Sequence, residues 1–333
     1  MRRFGISLGV MAFLLVPSSS ALAWNEFGHM AAAKIAYKNL DEAQQAKIAK
    51  ILQAHPHYEE YLAKNCPEGV SVNEWAFLRA SIWPDWIRPR KNDPRGVRVT
   101  KYHRSPDHYV TVPFIHPANA EMFKDIKVDS DVQDVMGAYR QRFSELKAPL
   151  VSDEDKAIAI CWMLHLIGDV HQPLHCGSLF SNDYKTGDLG GNKFTLKIGD
   201  TTTRLHTYWD NALGAVPGND DAGVERQTKL YKQLTETVEL LQGPDYKPSM
   251  FPEFAENTSF SSWVRESNEL AIKAVYLNGK LKGVPTEFDG TIPQDAPKAD
   301  DDYEPTAKAL AKKRVVLAGY RLAEKLKLAL AKE

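Results

Sequence analysis

Cysteine is scarce in this chain, which limits how disulfides could brace the fold. The 333 residues include three cysteines, Cys66, Cys161 and Cys176. One disulfide plus one free thiol fits this count, and so do three reduced cysteines in the core; no pairing follows from the spacing. A structural zinc site made of four cysteines is excluded.

Excess charge and long apolar runs are also lacking. Lys and Arg number 42 against 43 Asp and Glu, so the net charge is −1. A broad basic surface of the kind that binds nucleic acid is not expected, and positive charge for an anionic substrate has to come from another source. Beyond the N-terminal segment no stretch is apolar and long enough to cross a bilayer, so no stable membrane association is expected.

The first 23 residues have the pattern of a secretory signal peptide. Two arginines precede an apolar run at residues 6–16, and the segment ends in A-L-A. This pattern predicts cleavage between Ala23 and Trp24 and a secreted or periplasmic protein. Residues 24–333 would then form the mature chain, which we expect to be one domain and a monomer.

Apolar residues recur with a helical spacing almost throughout the mature chain. The sequence therefore predicts an all-α, mainly helical domain with at most one small β-hairpin, which joins residues 193–198 to 201–204. Asp41 and Ser152 are predicted helix N-caps. Helices are expected at residues 27–40, 42–54, 73–85, 130–147, 153–170, 221–242, 260–278 and 304–331, with long loops at 88–107 and 280–303.

Histidine and aspartate recur four residues apart in two segments. His165 and Asp169 lie in H-L-I-G-D-V-H-Q-P-L-H (165–175), and His206 and Asp210 lie in L-H-T-Y-W-D-N (205–211). Residues four apart share a helix face and can bind one ion. One such pair is commonly a weak surface ion pair. Two pairs in mostly apolar segments, joined by His175 after a proline, favour metal binding, because buried imidazoles and carboxylates are otherwise costly. Donors without thiolate favour catalytic zinc.

Other residues of these types are weaker candidates on spacing alone. Asp85 lies between two tryptophans in S-I-W-P-D-W-I-R (81–88), and His108 begins a short apolar run. Taken alone, each of these residues is more typical of ordinary structure than of a metal ligand. His171 lies well round the helix from the paired carboxylate, so a structural role is predicted for it. His55 and His57 follow an amphipathic helix into a polar loop and are predicted to be exposed.

Together these segments resemble the zinc-dependent S1/P1 nuclease family over nearly the whole mature chain. The resemblance rests on W-x-x-x-G-H (24–29), S-x-W-x-D-x-x-R (81–88), H-Y-V (108–110), H-x-x-G-D-x-H-Q-P-L-H (165–175), D-L-G-G-N (188–192), L-H-x-x-W-D-N (205–211), W-x-x-E-S (263–267) and A-G-x-R-L-A (318–323). It implies a mainly helical fold of the phospholipase C/P1 nuclease type with three zinc ions per chain.

The resemblance also implies nine metal ligands in three groups. The first zinc would be held by Asp85, His108, His165 and Asp169. Asp169 would bridge to a second zinc, whose other ligands would be His29 and the α-amino nitrogen and carbonyl oxygen of Trp24. The third zinc would be held by His175, His206 and Asp210.

Four positions bear on the substrate, and Asp85 is again one of them. Asp85 would act near the nucleophile, Arg88 near phosphate, Tyr109 in base stacking and Asn211 in base contact. Thr111 departs from the family pattern, in which many members carry an acidic residue that helps to bind the base. This departure leaves the base preference open, but it does not bear on catalysis.

The activity that the resemblance implies is hydrolysis of single-stranded DNA and RNA to 5′-phosphorylated nucleotides, with 3′-nucleotides as further substrates. One alternative is a zinc-dependent phospholipase C, which is similar in fold and in its N-terminal Trp ligand. In those enzymes the last pair of metal ligands is typically His…Glu, and the W-D-N run is absent. Both differences favour the nuclease. A second alternative is a zinc-binding protein without turnover, against which the completeness of the donor set counts.

Overall fold

The computed structural model of the chain describes residues 24–90, 92–126, 134–216, 218, 223–287 and 290–331. The signal peptide predicted at residues 1–23 lies outside this part. None of the helices in the described ranges combines the length and apolarity needed to cross a bilayer. The α-helices are α1 Glu26–Lys38, α2 Glu42–Leu52, α3 Val72–Ala80, α4 Trp83–Trp86, α5 Gly96–Thr100, α6 Val135–Lys147, α7 Asp153–Asp169, α8 Leu205–Asp210, α9 Val224–Leu240, α10 Pro252–Glu256, α11 Phe260–Leu270 and α12 Tyr303–Leu330.

Helix starts and breaks follow local chemistry. Asp41 accepts a bond from the Gln44 backbone N–H at 2.8 Å, and Ser152 Oγ accepts one from Asp155 N–H at 3.1 Å. Both predicted N-caps are therefore confirmed. The helix predicted at 73–85 is instead two helices, because Pro84 lies in the first turn of α4, where a missing N–H is tolerated.

Strands form two small sheets beside the helices. Strand β1 (Pro113–Ile115) pairs in parallel with β2 (Ser178–Phe180). Strand β3 (Phe194–Ile198) pairs antiparallel with β4 (Thr201–Arg204) and with β5 (Val284–Pro285). The mainly helical class and the hairpin β3–β4 are confirmed, and β1, β2 and β5 are short additional strands. Strands of two or three residues paired across distant parts of the chain carry no local alternation, so the sequence did not reveal them.

Helix α7 lies deep in the core and packs against α1, α2, α6 and α12. Every residue from Ala157 to Asp169 is buried. Helices α1 and α12 approach closely, since a Cβ atom built at Gly319 would lie 2.6 Å from Cβ of Ile35. The core therefore fixes the two helices, α1 and α7, that carry three of the predicted donor residues.

The three cysteines are free, so the reduced-thiol alternative is the one observed. Cys161 and Cys176 are buried, and Cys66 is half-buried. Burial raises the pKa of the Cys176 thiol to about 12. This thiol therefore stays protonated at neutral pH and packs as a small apolar group.

The prediction that His55 and His57 are exposed was wrong. Their side chains are buried, and the ring of His55 meets that of Trp83 edge-on at a centroid distance of 4.6 Å. The Trp83 indole N–H donates to His57 Nδ1 at 3.0 Å. Residues that follow much later in the chain cover this loop, and local polarity could not show that.

Replacing His55 by asparagine is expected to flatten the fall of stability at acid pH. Burial lowers the pKa of His55 to about 3, against about 6.5 in an unfolded chain. Below pH 6.5 the unfolded chain therefore binds a proton that the folded chain does not, and stability falls by up to about 1.4 kcal/mol per pH unit. The metal-free proteins are unfolded with denaturant at pH values between 6.5 and 4. The free energy of unfolding should fall less steeply with decreasing pH in the variant, by a slope that corresponds to one proton.

Asparagine suits this test because it keeps the local hydrogen bond. His55 Nδ1 accepts from the His57 backbone N–H at 3.0 Å, and an Asn side-chain oxygen can accept the same bond in an Asx turn. Comparing slopes removes any constant packing difference between the two proteins. Identical slopes would show that His55 does not set the acid limit.

Candidate metal centre

Short elements around α7 bring the predicted donors together. His165 and Asp169 lie one turn apart on α7. His29 comes from α1, Asp85 from α4, and His108 ends a 3₁₀ turn, Ser105–His108. Pro84 and Pro106 each lie at the start of one of these turns, where proline is favoured. The two turns carry Asp85 and His108.

Two donor groups share His165. The ligand atoms of His29, His165 and Asp169 lie within 4.8 Å of one another, and so do those of Asp85, His108 and His165. His165 Nε2 lies 2.9 Å from His108 Nδ1 and 3.6 Å from Asp85 Oδ1. The five side chains thus form one cluster with two overlapping sets of donors.

The carboxylate of Asp169 lies between these two sets. Its Oδ1 is 3.3 Å from His29 Nε2, and its Oδ2 is 3.2 Å from His108 Nδ1. Each oxygen therefore faces a different histidine. This is the arrangement required of a carboxylate that bridges two cations.

A third donor group lies nearby and comes from two other elements. His175 lies in the 3₁₀ turn Pro173–Cys176, and His206 and Asp210 lie one turn apart on α8. Their ligand atoms are all within 4.8 Å of one another, with His206 Nε2 at 3.5 Å from Asp210 Oδ1. Both i, i+4 pairs of the sequence thus lie on helices, with their ligand atoms in donor groups.

Backbone carbonyls fix the orientation of three of the histidines. His165 Nδ1 donates to Ser81 O at 2.8 Å, His175 Nδ1 to His108 O at 2.9 Å, and His206 Nδ1 to Gly190 O at 2.6 Å. A carbonyl only accepts, so Nδ1 must carry the hydrogen. Each Nε2 then turns its lone pair towards the donor group, as a metal-ligating histidine requires.

His171 is excluded from metal binding by its partners. Its Nδ1 donates to Ile167 O at 2.6 Å, and its Nε2 is 2.9 Å from an Arg321 N–H. Both ring nitrogens are thus engaged by protein. The geometry supports the structural role predicted for this residue.

The chemistry of the donor atoms fits a divalent metal. Both ring nitrogens of His29 and Oδ1 of Asp169 are buried without a hydrogen-bond partner among the described residues. Such atoms are costly unless a cation binds them. Burial lowers the pKa of His29 to about 4, so the ring is neutral, the form that binds metal. Burial also raises the pKa of Asp169 well above its usual range, a penalty that a bound cation removes.

The residues predicted to contact substrate lie around the cluster with differing exposure. Arg88 is buried, with Nη2 2.8 Å from Asp85 Oδ1 and 3.2 Å from His108 Nδ1. Tyr109 is 41% exposed, so its ring is available for stacking. Asn211 Oδ1 accepts from Asn25 Nδ2 at 2.7 Å. Thr111 is exposed near Tyr109.

Trp24 has a larger packing role than its sequence position indicates. Its side chain is fully buried, and a Cβ atom built at Gly28 would lie 2.8 Å from Trp24 Cβ. The next residue, Asn25, donates its backbone N–H to Asp210 O at 3.0 Å. The chain at Trp24 is therefore tied to α1 and to the third donor group.

Sequence reasoning missed two residues that support the donors. Gln172 Nε2 donates to Asp210 Oδ1 at 2.8 Å. Gly168 leaves room for His29, because a Cβ atom built there would lie 2.6 Å from His29 Nδ1. Both lie inside the 165–175 motif, and a glycine next to a candidate ligand was the available signal.

Replacing Gly168 by alanine is expected to weaken metal binding at His29 by roughly tenfold to a hundredfold, the range for altered ligand support. The added methyl group would displace the imidazole. Metal titration of the purified variant measures this. The matched control is Gly223→Ala, since a Cβ atom there meets nothing within 4 Å. Equal metal affinity in Gly168→Ala and wild type would contradict the packing argument.

Comparison with known proteins gives matches over most of the chain. The sequence model of a family described as S1/P1 Nuclease matches residues 24–331. Endonuclease 4 of Arabidopsis thaliana is 28% identical over 334 residues, which cover 92% of this chain and 89% of that protein. Endonuclease 5 of the same plant is 26% identical, covering 98% and 96%, and Endonuclease 1 is 24% identical, covering 96% and 91%. The family match includes every residue of the three donor groups.

Proposed function

The chain belongs to the S1/P1 nuclease family, and we propose that it is a zinc enzyme that cuts single-stranded DNA and RNA to 5′-phosphorylated nucleotides. Family membership makes it a nuclease, a hydrolase of phosphodiester bonds. The proposal of a zinc enzyme rests mainly on the position of Asp169, whose two carboxylate oxygens face two donor groups. A shared carboxylate can hold two cations close enough to act on one phosphate.

Zinc is the metal that this donor set favours, because imidazole and carboxylate donors without thiolate are typical of catalytic zinc. Three donor groups support three ions per chain. When bound, zinc lowers the pKa of coordinated water to about 7 and offsets negative charge on the phosphate. Three divalent ions outweigh the three aspartates of the groups, so the cleft would be positive although the chain is nearly neutral.

The chain's own residues would position the reacting groups. Arg88 holds the carboxylate of Asp85 at 2.8 Å and places a positive charge beside the donor cluster, where it would attract a phosphate. Asp85 can then accept a hydrogen bond from the attacking water and orient it. The Gln172 amide fixes the carboxylate of Asp210 in the third group.

Base contacts favour an unpaired strand. The exposed ring of Tyr109 can stack on a base that is not already stacked in a duplex. The Asn211 amide donates to Thr207 O at 2.7 Å, which leaves one further N–H for a base edge. The same contacts would accept a 3′-nucleotide, so we propose 3′-nucleotidase activity as well.

We also propose that the chain is exported, cleaved before Trp24 and active as a monomer in the periplasm or outside the cell. The A-L-A pattern supports this. The family match, which begins at Trp24, is consistent with it.

Digestion of matched single- and double-stranded DNA and RNA tests the proposal. We expect single strands to be cut faster, 5′-phosphorylated products, loss of activity with a chelator and recovery with zinc. Phosphatidylcholine is the parallel substrate, and its hydrolysis in place of nucleic acid would favour the phospholipase alternative. Binding of single strands without product would instead favour a zinc-binding protein that has no turnover. Equal rates on both strand forms would contradict the single-strand preference.

A further inference from the structure

The near-neutral chain concentrates positive charge beside the metal centre. Residues 88–104, which lie between Asp85 and His108 in the sequence, include seven Lys or Arg residues and one acidic residue. The net charge of the whole chain is −1. This stretch is therefore a local feature that composition alone did not reveal.

Three of these arginines are already paired with carboxylates, and Arg88 is the first, 2.8 Å from Asp85 Oδ1. Arg95 lies 2.7 Å from the aspartate two residues before it, and Arg98 lies 2.6 Å from Glu60. Lys101 and Arg104 are exposed, and within the described ranges neither forms an ion pair. Lys101 and Arg104 therefore each present a positive charge at the surface that no carboxylate in the described ranges pairs with.

These residues lie at the edge of the donor cluster. The ring centroids of His103 and His108 are 6.4 Å apart, and Arg104 directly precedes the turn that carries His108. Arg104 Nη1 donates to the carbonyls of Lys101 and His103 at 2.8 Å each, which holds the guanidinium beside the loop. A guanidinium has five N–H donors, so others stay available. His103 Nδ1 is buried and lacks a hydrogen-bond partner among the described residues.

The Tyr102 ring anchors this loop to the site. It packs against Trp83 at a centroid distance of 5.7 Å, and the ammonium group of Lys101 lies 4.7 Å from the Tyr102 ring centroid. Trp83 and Asp85 belong to the same turn, α4. The loop that carries Lys101 therefore packs against the turn that carries Asp85.

We propose that Lys101, His103 and Arg104, here called the basic rim, bind the backbone phosphate next to the one that is cut. The inference rests on the proposed nuclease function. A strand carries one charge per nucleotide, so a strand with one phosphate at the metal centre brings a neighbouring phosphate towards this edge. Guanidinium and ammonium groups are the usual partners of phosphate. Phosphate contacts carry no sequence information, so the basic rim would favour longer strands of any sequence.

The first test compares a thymidine dinucleotide, which has one phosphate between its nucleosides, with a thymidine decamer. In the wild type kcat/KM should be higher for the decamer. In Arg104→Ala this length-dependent gain should fall roughly tenfold, as for loss of one charged hydrogen bond. The affinity for the decamer should also fall less steeply with salt concentration, by a slope that corresponds to about one lost phosphate contact. Arg265→Ala, an exposed arginine on α11, is the charge-matched control and should keep the gain of the wild type.

The second test removes charge from the substrate. Each of two thymidine trinucleotides has one natural linkage and one neutral methylphosphonate linkage. The two substrates differ in whether the neutral linkage lies on the 5′ or the 3′ side of the natural one. One of the two should lose as much kcat/KM as Arg104→Ala does with the natural trinucleotide. Combining that substrate with the variant should cause no further loss. Which trinucleotide responds identifies the side of the cut that the basic rim binds.

The outcomes separate this inference from the proposed function. If the wild type cuts neither the dinucleotide nor the decamer, the proposed function fails. If it cuts both, but Arg104→Ala keeps the full length-dependent gain, the basic rim is not a phosphate subsite. Independent losses in the combined trinucleotide experiment would also overturn the inference.

Discussion

Replacing Asp169 by asparagine is expected to lower nuclease kcat/KM by more than about a hundredfold. Loss of a residue that merely supports a ligand costs about ten- to a hundredfold, and Asp169 is proposed to be a ligand itself. Its two oxygens face different donor groups, and an amide cannot offer two anionic oxygens. Metal content should fall from three ions towards one, because one Asp169 oxygen faces His29 and the other faces His108, whereas the group His175, His206 and Asp210 does not depend on this residue.

Metal analysis and kinetics on a single-stranded substrate measure both effects. Asp134→Asn is the matched control, since Asp134 caps α6 by accepting backbone N–H bonds and asparagine caps equally well. It should keep both metal and activity. Thermal unfolding of the metal-free proteins separates loss of metal from loss of fold. Three ions and full activity in Asp169→Asn would contradict the bridging role.

Leaving one extra alanine before Trp24 is expected to weaken metal binding at His29 at least tenfold and to depress activity accordingly. In the proposed mature chain the α-amino group of Trp24 is a metal donor, whereas a peptide nitrogen is a poor one. Its fully buried side chain gives the displaced terminus little freedom to rearrange. N-terminal sequencing and zinc titration of both forms measure the difference.

Trp24→Phe with the same N-terminus is the companion variant. It should keep the zinc ions, because the amine is unchanged, but lose stability on the order of 1–2 kcal/mol through the cavity left in the core. The structure thus adds a packing role for the ring to the proposed role of the backbone nitrogen. Equal zinc affinity with and without the extra alanine would contradict the role of the amine.

Local chemistry made much of the fold and the site predictable. The i, i+4 pairs on α7 and α8, the two N-caps and the hairpin each depend on residues close in sequence. His55 and His57 were placed wrongly because their burial depends on Trp83, more than twenty residues later. The contact of Gly168 with His29 and that of Gln172 with Asp210 also join distant segments. Spacing cannot reveal such contacts.

Three zinc ions, held by three His/Asp groups around one phosphate-cleaving site, are the basis of the proposed function. Anomalous diffraction from crystals of the mature protein, recorded on both sides of the zinc absorption edge, tests it most directly. We expect three peaks: one on each side of Asp169 and one among His175, His206 and Asp210. A fully loaded, active protein with no peak beside Asp169 would contradict it.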